Sequence, residues 1–293
     1  MWGDSERHMA YSTDADFAAA VAYNTLDFVR AFKLDRLGWL GRASTGLFHQ
    51  AASQITDIAF QYDRRVGHEG LARSSSWLVE RFTASVEIVG LPAIPANQPL
   101  LIASNHPGVI DAMAVFAAVQ HPNLRIIAAE RPILRLLPNI ARHLIFLPDD
   151  PSRRLGAVRT AANHLRTGGA VLTFPAGKIE PDPALYPDAV DSLAGWSDSL
   201  DLFVRLVPDL MILPVAVSGV ISPDALRSPI TRLYRSPRQQ SWVAATLQMI
   251  LPRYRNIHVV ARFGTPIHAA EALYPTQTVT AQMRHLLQNA LRP

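Results

Sequence analysis

The stretch LLIASNHPGVIDAMAVFAAV, residues 100–119, decides the fold of this chain. Leu100–Ser104 is a short apolar run of the kind found in strands that are buried on both faces. Pro107 and Gly108 are turn-forming residues. Ile110–Val119 then has the composition of a helix. A buried strand, a tight turn and a helix together form the repeating unit of α/β proteins.

Similar units recur on both sides of this stretch. Short apolar runs predict strands at Ser85–Val89, Leu100–Ser104, Arg125–Ala129, His143–Leu147, Ala170–Phe174, Leu210–Val217 and Ile257–Phe263. Longer amphipathic segments predict helices at Ile110–Val119, Pro132–Ala141, Ser152–Arg166, Ala189–Val207 and Ile230–Ile250. Strands that alternate with helices indicate a mostly parallel sheet flanked by helices. The predicted fold class is therefore α/β.

The segment before this pattern has a different texture. Residues 1–82 carry apolar side chains at helical spacing, which predicts two helices joined near Gly38–Gly41 and a third helix over about Glu69–Phe82. We therefore divide the chain into an N-terminal helical region, residues 1–82, and an α/β domain, residues 83–293. The helices are expected to form a layer on the α/β domain.

The composition excludes several classes of protein. The chain has 293 residues and no cysteine, so disulfides, thiolate metal sites and a cysteine nucleophile are excluded. Every apolar run is shorter than the roughly 18 residues that a membrane-spanning helix needs. Met1–Ser12 lacks the apolar core of a secretory signal. We expect a cytoplasmic location, with peripheral contact to the inner membrane face at most, and no nucleic-acid partner because the arginines are scattered.

A histidine and an aspartate follow the buried strand at Leu100–Ser104. In open α/β sheets ligands bind beyond the carboxyl ends of the strands, which is where Asn105 and His106 lie. Asp111 falls near the first turn of the next helix, so its carboxylate can reach the imidazole. Such a pair can remove a proton from a hydroxyl, with His106 as general base and Asp111 orienting the ring. The alternative is a histidine with a purely structural role.

A second loop follows the predicted strand Ala170–Phe174. Gly177 allows a close approach of the backbone to a ligand, and its N–H is a candidate donor to an anion. Lys178 is one of only two lysines among 28 basic residues, which favours a specific role over a general surface charge. A solvated turn lysine is the alternative. No serine lies in a Gly-x-Ser-x-Gly pattern, so we expect no covalent intermediate on a serine.

These loops carry a resemblance to a known family. The segment Asn105–Asp111 resembles the first signature block, Asn-His-x4-Asp, of the glycerolipid acyltransferases. The segment Phe174–Lys178 is similar to their third block, usually Phe-Pro-Glu-Gly-Thr-Arg, and Leu213–Val217 is similar to their fourth, apolar block. Ala128–Leu134 occupies the place of the second block. The resemblance covers about residues 82–219, and the order and spacing of all four blocks agree.

The resemblance implies an O-acyltransferase. Its acyl donor would be acyl-CoA or acyl carrier protein, and its acceptor the hydroxyl of glycerol-3-phosphate, a lysophospholipid or a related lipid precursor. It implies catalytic roles for His106 and Asp111 and no metal or redox cofactor. Substrate-binding roles are expected for Asn105, Arg131, Phe174, Gly177 and Lys178. A lipid-binding protein without turnover and an acyl-thioester hydrolase are the alternatives.

The third block departs from the family pattern. Ala176 stands in place of the usual glutamate, Lys178 in place of threonine, and Ile179 in place of the phosphate-contacting arginine. The acceptor therefore stays open. Lys178 is a candidate for the cation, with Arg131 opposite it. Pairing of Lys178 with nearby Glu180 would instead cancel this charge.

One further segment combines arginines with an apolar helix. This composition is typical of a helix that lies in a layer of lipid headgroups, and an ordinary core helix with charged ends is the alternative. The segment comprises Arg232, Arg235, Arg238, Trp242, Val243, Leu247, Ile250, Leu251, Arg253 and Arg255.

Overall fold

The computed structural model describes residues 13–95 and 97–290. Met1–Ser12, which we predict not to be a secretory signal, lies outside these residues. The described strands are β1 (Ser85–Val89), β2 (Leu100–Ser104), β3 (Leu124–Ala129), β4 (Leu144–Leu147), β5 (Ala170–Thr173), β6 (Met211–Ser218), β7 (His258–Phe263) and β8 (Ile267–His268). They form one sheet in the order β1-β7-β6-β2-β5-β3-β4, with β8 paired to β6.

The sheet is mostly parallel, as predicted. Strands β6, β2, β5, β3 and β4 run in the same direction, while β7 and β8 are antiparallel to β6, and β1 is parallel to β7. All residues of β2, β5 and β6 are buried. Their carboxyl ends therefore meet at one edge in the centre of the sheet, which is the usual place of a ligand site in α/β proteins.

A proline lies inside the central strand β6. Proline has no N–H to donate to a ladder, so it is disfavoured in central strands. Pro214 lies between the residues of β6 that pair with β8, Met211 and Ile212, and those that pair with β7, which begin at Val215. Its carbonyl accepts from Gly264 N–H at 2.8 Å. Pro214 is therefore tolerated because it falls between the two partners.

The described helices are α1 (Asp14–Ala31), α2 (Trp39–Glu69), α3 (Leu71–Phe82), α4 (Asp111–Ala118), α5 (Pro132–Arg135), α6 (Pro138–Ala141), α7 (Arg154–Arg166), α8 (Ser199–Leu206), α9 (Pro223–Arg227), α10 (Pro229–Arg232), α11 (Pro237–Ile250) and α12 (Pro275–Asn289). They cover both faces of the sheet. Ile102 and Leu213 pack in one core with α1–α4 and α11, whereas Leu101 and Ile212 pack in a second core with α7, α8 and α12. Neighbouring residues of a strand point to opposite faces, which explains this division.

The N-terminal helical layer is present. A capping box at Thr13 begins α1, and Gly70, with φ of 82°, separates α2 from α3. Phe28 of α1 and Phe82 of α3 belong to the same buried core as Val115 of α4. The layer therefore shares a core with the sheet, and our division of the chain at residue 82 stays a prediction.

Several predicted helices are interrupted. The expected helix Pro132–Ala141 is two short helices, α5 and α6, because Pro138 cannot donate within a helix interior. The segment predicted as Ala189–Val207 is a 3₁₀ helix, Pro187–Gly195, followed by α8. The segment predicted as Ile230–Ile250 is α10 followed by α11, which begins at Pro237. The sequence analysis did not predict β8, α9 or α12.

Helix α11 is the apolar part of the segment suspected of membrane contact. Val243 and Leu247 are buried in the core that faces α1–α4, so for these two residues the alternative of a core helix is the correct one. Trp242 is 45% exposed and Leu233 is 80% exposed. Within residues 13–95 and 97–290, no helix has both the length and the apolar character to cross a bilayer.

Candidate active site

The loop after β2 is attached to the end of β6 by one side chain. The Asn105 amide donates from Nδ2 to the Val217 carbonyl at 2.8 Å, and its Oδ1 accepts from Val217 N–H at 2.8 Å. Asn105 is 1% exposed. Both polar atoms of the side chain are therefore used within the protein, and the next residue, His106, starts from a fixed position.

His106 and Asp111 form the pair that the sequence predicts. His106 Nδ1 lies 2.7 Å from Asp111 Oδ2. The Asp111 side chain is fully buried, whereas that of His106 is 27% exposed. With the proton on Nδ1, the ring donates to the carboxylate and leaves Nε2 as the unprotonated nitrogen. This is the tautomer that a general base needs.

The backbone fixes the carboxylate of Asp111. Gly108 N–H donates to Asp111 Oδ2 at 3.0 Å, and Ala112 N–H donates to Oδ1 at 2.6 Å. The turn at Pro107 and Gly108 brings the chain back over the first turn of α4, where Asp111 begins the helix. An added Cβ at Gly108 would lie 3.0 Å from a Val220 methyl carbon, so a larger residue there would have to displace Val220.

The surroundings of His106 make it more basic. Burial alone would lower the pKa of the imidazole, but the charge of Asp111, the hydrogen bond to it and the charge of Glu180 together raise that pKa above its ordinary value. A base is most effective when its pKa lies near the working pH. His106 is thus a stronger base than a free histidine.

Phe174 contributes the ring that lies against His106. The two ring centroids are 4.2 Å apart and the ring planes differ by 19°, so the rings are stacked. Phe174 follows directly on β5, next to β2 in the sheet. Gly177, with φ of 61°, closes the turn after it and donates its N–H to the Phe174 carbonyl at 2.9 Å. That N–H is used within the turn, which weakens the expectation that it binds an anion.

The two predicted cations lie at the same edge of the sheet but outside the buried site. Lys178 and Arg131 are both exposed, and neither forms an ion pair with any residue in the described part of the chain. A Cβ added at Gly195 would lie 3.7 Å from Lys178 Nζ, so the ammonium group reaches over the 3₁₀ helix. The suggested pairing of Lys178 with Glu180 does not occur.

Glu180 instead contacts the loop after β2 that carries His106, which we call the histidine loop. Its Oε2 accepts from His106 N–H at 2.9 Å, and its own N–H donates to the His106 carbonyl at 2.8 Å. Its Oε1 accepts from Trp196 Nε1–H at 3.0 Å and lies 2.8 Å from Ser192 Oγ. Glu180 is only 4% exposed. Burial raises the pKa of the Glu180 carboxyl, and these hydrogen bonds oppose the rise.

Asp182 has a related role two residues later. Its carboxylate accepts from the N–H groups of Gly219, Ile221 and Ala184 at 2.8 to 3.0 Å, and it is 1% exposed. It therefore ties the loop after β5 to the loop after β6. Sequence reasoning missed both acids as internal residues, although their position beside an expected ligand loop was a signal.

Two open cavities lie away from His106. One, of about 690 Å³, is lined by Gly90, Phe263 and Gly264 at the carboxyl ends of β1 and β7. Because these strands are antiparallel to β2, this cavity lies at the opposite edge of the sheet. The other, of about 390 Å³, lies between α1 and α2. Among the described residues, no cluster of His, Asp and Glu is arranged to hold a metal ion.

Comparison with known proteins supports the interpretation of the chain as an acyltransferase. The family model named Acyltransferase matches residues 85–218, which run from the first residue of β1 to the last of β6. The crystal structure of the 1-acyl-sn-glycerophosphate (LPA) acyltransferase PlsC from Thermotoga maritima is similar to this chain at 15% identity and a TM-score of 0.50. The match covers 93% of this chain and 98% of that one.

No curated protein is significantly similar to the chain in sequence. The structural likeness, at this identity, concerns the fold. The matched family model spans all of the loops that hold His106, Asp111 and Phe174. Residues 85–218 therefore match an acyltransferase domain, and the chain is an acyltransferase.

Proposed function

We propose that the chain transfers a fatty acyl group from acyl-CoA or acyl carrier protein to a hydroxyl of glycerol-3-phosphate, a lysophospholipid or a related polar lipid precursor. His106 acts as general base and Asp111 orients it. The observation that carries this proposal is the contact of 2.7 Å between a partly exposed imidazole and a fully buried carboxylate.

The proposed step uses the free nitrogen of His106. Nε2 takes the proton of the acceptor hydroxyl as its oxygen attacks the thioester carbonyl, and Asp111 stabilises the imidazolium that forms. The tetrahedral intermediate collapses with loss of the thiolate, which is a good leaving group and takes up the proton. General-base help of this kind contributes on the order of 10²- to 10⁴-fold in rate.

The remaining residues of the site are assigned supporting roles. Asn105 positions the histidine loop, since its amide nitrogen and oxygen each form a hydrogen bond to Val217. Phe174 holds the imidazole by stacking, and the turn closed at Gly177 holds Phe174. Lys178 and Arg131 are the exposed cations at this edge of the sheet, and we propose them as contacts for an anionic group of the acceptor or donor.

Release of free thiol from a long-chain acyl-CoA tests the proposal. The purified chain is incubated with the donor alone and with glycerol-3-phosphate, a lysophosphatidic acid or an uncharged monoacylglycerol. Release that requires an acceptor, together with an esterified product in mass spectrometry, supports transfer. Release without acceptor would indicate thioester hydrolysis, and binding of the donor without any release would indicate a lipid-binding protein.

Peripheral contact with an anionic membrane is part of the proposal, because the product is a lipid. The candidate contact is the exposed pair Leu233 and Trp242, near the arginines that flank α11. Insertion of such side chains contributes about 25 cal/mol per Å² of apolar surface, so the double variant Leu233→Ala, Trp242→Ala is expected to bind anionic vesicles about tenfold more weakly. Vesicle sedimentation measures this.

Leu273→Ala is the matched control for that experiment. Leu273 is 84% exposed but precedes α12, on the other face of the sheet. Equal vesicle binding by the double variant and the unaltered chain would remove the proposed contact. The cytoplasmic location, which suits either donor, stays a prediction.

A further inference from the structure

The buried acid Glu180 holds the histidine loop by hydrogen bonds to its main chain. Glu180 and His106 exchange two hydrogen bonds, one from His106 N–H to the Glu180 carboxylate and one from Glu180 N–H to the His106 carbonyl. The two residues are 74 positions apart in the chain. The loops after β2 and β5 are thereby joined at the residue that carries the reactive imidazole.

The carboxylate is itself held on its other side. Trp196 Nε1–H donates to Oε1, and Ser192 Oγ lies within hydrogen-bond distance of the same oxygen. An indole N–H and a backbone N–H can only donate hydrogen bonds. The Glu180 side chain must therefore present an acceptor atom at both of its terminal positions. A carboxylate meets this requirement, whereas an amide presents a donor on one side.

We propose that Glu180 is a positioning residue for the acyl transfer, acting through His106: its buried carboxylate fixes the histidine loop and provides a second negative charge near the imidazole. The proposal rests on the proposed function. In this chain the glutamate of the usual third block is replaced by Ala176, and the acid at Glu180 is directed at the backbone of the base.

Two carboxylates then act on His106 from different sides. Asp111, at the start of α4, contacts the ring, and Glu180, in the loop after β5, contacts the main chain. The third neighbour, Phe174, is uncharged. Both acids favour the protonated imidazole, and the Glu180 charge adds to the rise in the pKa of His106.

Three variants separate charge from position. Glu180→Gln removes the charge and leaves one donor unmatched. Glu180→Asp keeps the charge but shortens the side chain by one methylene. Asp182→Asn is the matched control, because Asp182 is a buried acid of the same loop that bonds Gly219, Ile221 and Ala184 and not His106.

The readouts are the pH dependence of kcat/KM and the titration of the His106 ring by NMR. The His106 signal is assigned as the one that disappears in His106→Ala. For Glu180→Gln, we expect the acid limb and the ring titration both to move to lower pH. For Glu180→Asp, we expect an unmoved limb and a kcat about tenfold lower, since misplacement of a catalytic group by about 1 Å costs up to about 10²-fold.

The proposal is overturned if the acid limb of the kcat/KM profile does not shift in Glu180→Gln. It is also overturned if that limb shifts by the same amount in Asp182→Asn. If Glu180→Gln does not fold, Glu180→Asp decides instead, and an unchanged kcat in that variant overturns the proposal. Absence of acyl transfer by the unaltered chain would refute the proposed function, and the NMR titration would still decide whether Glu180 acts on His106.

Discussion

The loop after β2 and the loop after β5 differ in how they use their charged residues. In the first, Asn105 bonds to Val217 and His106 bonds to Asp111, and all of these side chains in the loop except the imidazole are buried. In the second, Lys178 is exposed and forms no ion pair within the described residues, while the buried charges are the acids Glu180 and Asp182. The proposed general base and its orienting acid therefore lie in one loop, and the proposed cation for the substrate lies in the other.

The difference in burial between these charged residues suggests different roles for the two loops. A catalytic base must be held in one position, and burial with several hydrogen bonds provides that rigidity. A substrate contact at an exposed side chain is weaker, because solvent and salt screen it. We therefore expect substitutions in the first loop to change kcat and those at the exposed end of the second loop to change KM.

Loss of the base should have the largest effect. His106→Ala is expected to lower kcat by about 10³-fold, within the range that general-base catalysis contributes. The Asp111 carboxylate keeps its bonds from Gly108 and Ala112, so the fold should persist. Steady-state rates with an acyl-CoA donor measure the loss, and circular dichroism checks the fold. Activity comparable to that of the unaltered chain would contradict the role of His106 as general base.

The orienting acid should come second. Asp111→Asn places an amide N–H against Nδ1, which favours the tautomer with the proton on Nε2 and blocks the base; we expect a loss of about 10²- to 10³-fold in kcat. Because the charge of Asp111 raises the pKa of His106, the acid limb of the pH profile should also move to lower pH. An unchanged profile would show that Asp111 is not the partner of the base.

Phe174 tests the contact between the two loops. Phe174→Ala removes the stacked ring, and aromatic pairs contribute about 0.5 to 1.5 kcal/mol beyond their buried area, so we expect kcat to fall about tenfold as the imidazole loosens. Phe174→Tyr keeps the ring and is the matched control. Equal rates for the alanine and tyrosine variants would mean that the second loop does not support the base.

Lys178 should show the smallest effect. For an anionic acceptor, Lys178→Ala is expected to raise KM about two- to fivefold without a change in kcat, since exposed ion pairs contribute about 0.2 to 1 kcal/mol. The effect should vanish at high salt. Arg159→Ala, an exposed arginine on α7, is the control. A Lys178→Ala variant with the KM of the unaltered chain at low salt would remove Lys178 from the acceptor site.

Much of the fold could be predicted because the signal is local. β1 and β2 have the predicted bounds, β6 differs from its predicted bounds by one residue at each end, and the other predicted strands differ by one residue at one end. Helix boundaries were less predictable: Pro138 and Pro237 break segments whose apolar spacing is continuous. Helix α12 was missed, although its buried Val279, Met283 and Leu287 recur every four residues. Its otherwise polar composition hid that stripe.

The sequence alone determined the α/β class, the family blocks and the spacing of His106 and Asp111, because a strand, a turn and one helical turn are set by neighbouring residues. Only the tertiary structure decided that Asn105 bonds to Val217, 112 residues away, that Glu180 turns inward beneath His106, and that Leu247 is buried. These outcomes depend on which distant segments pack together. A charged or apolar side chain has no fixed surroundings until that packing exists.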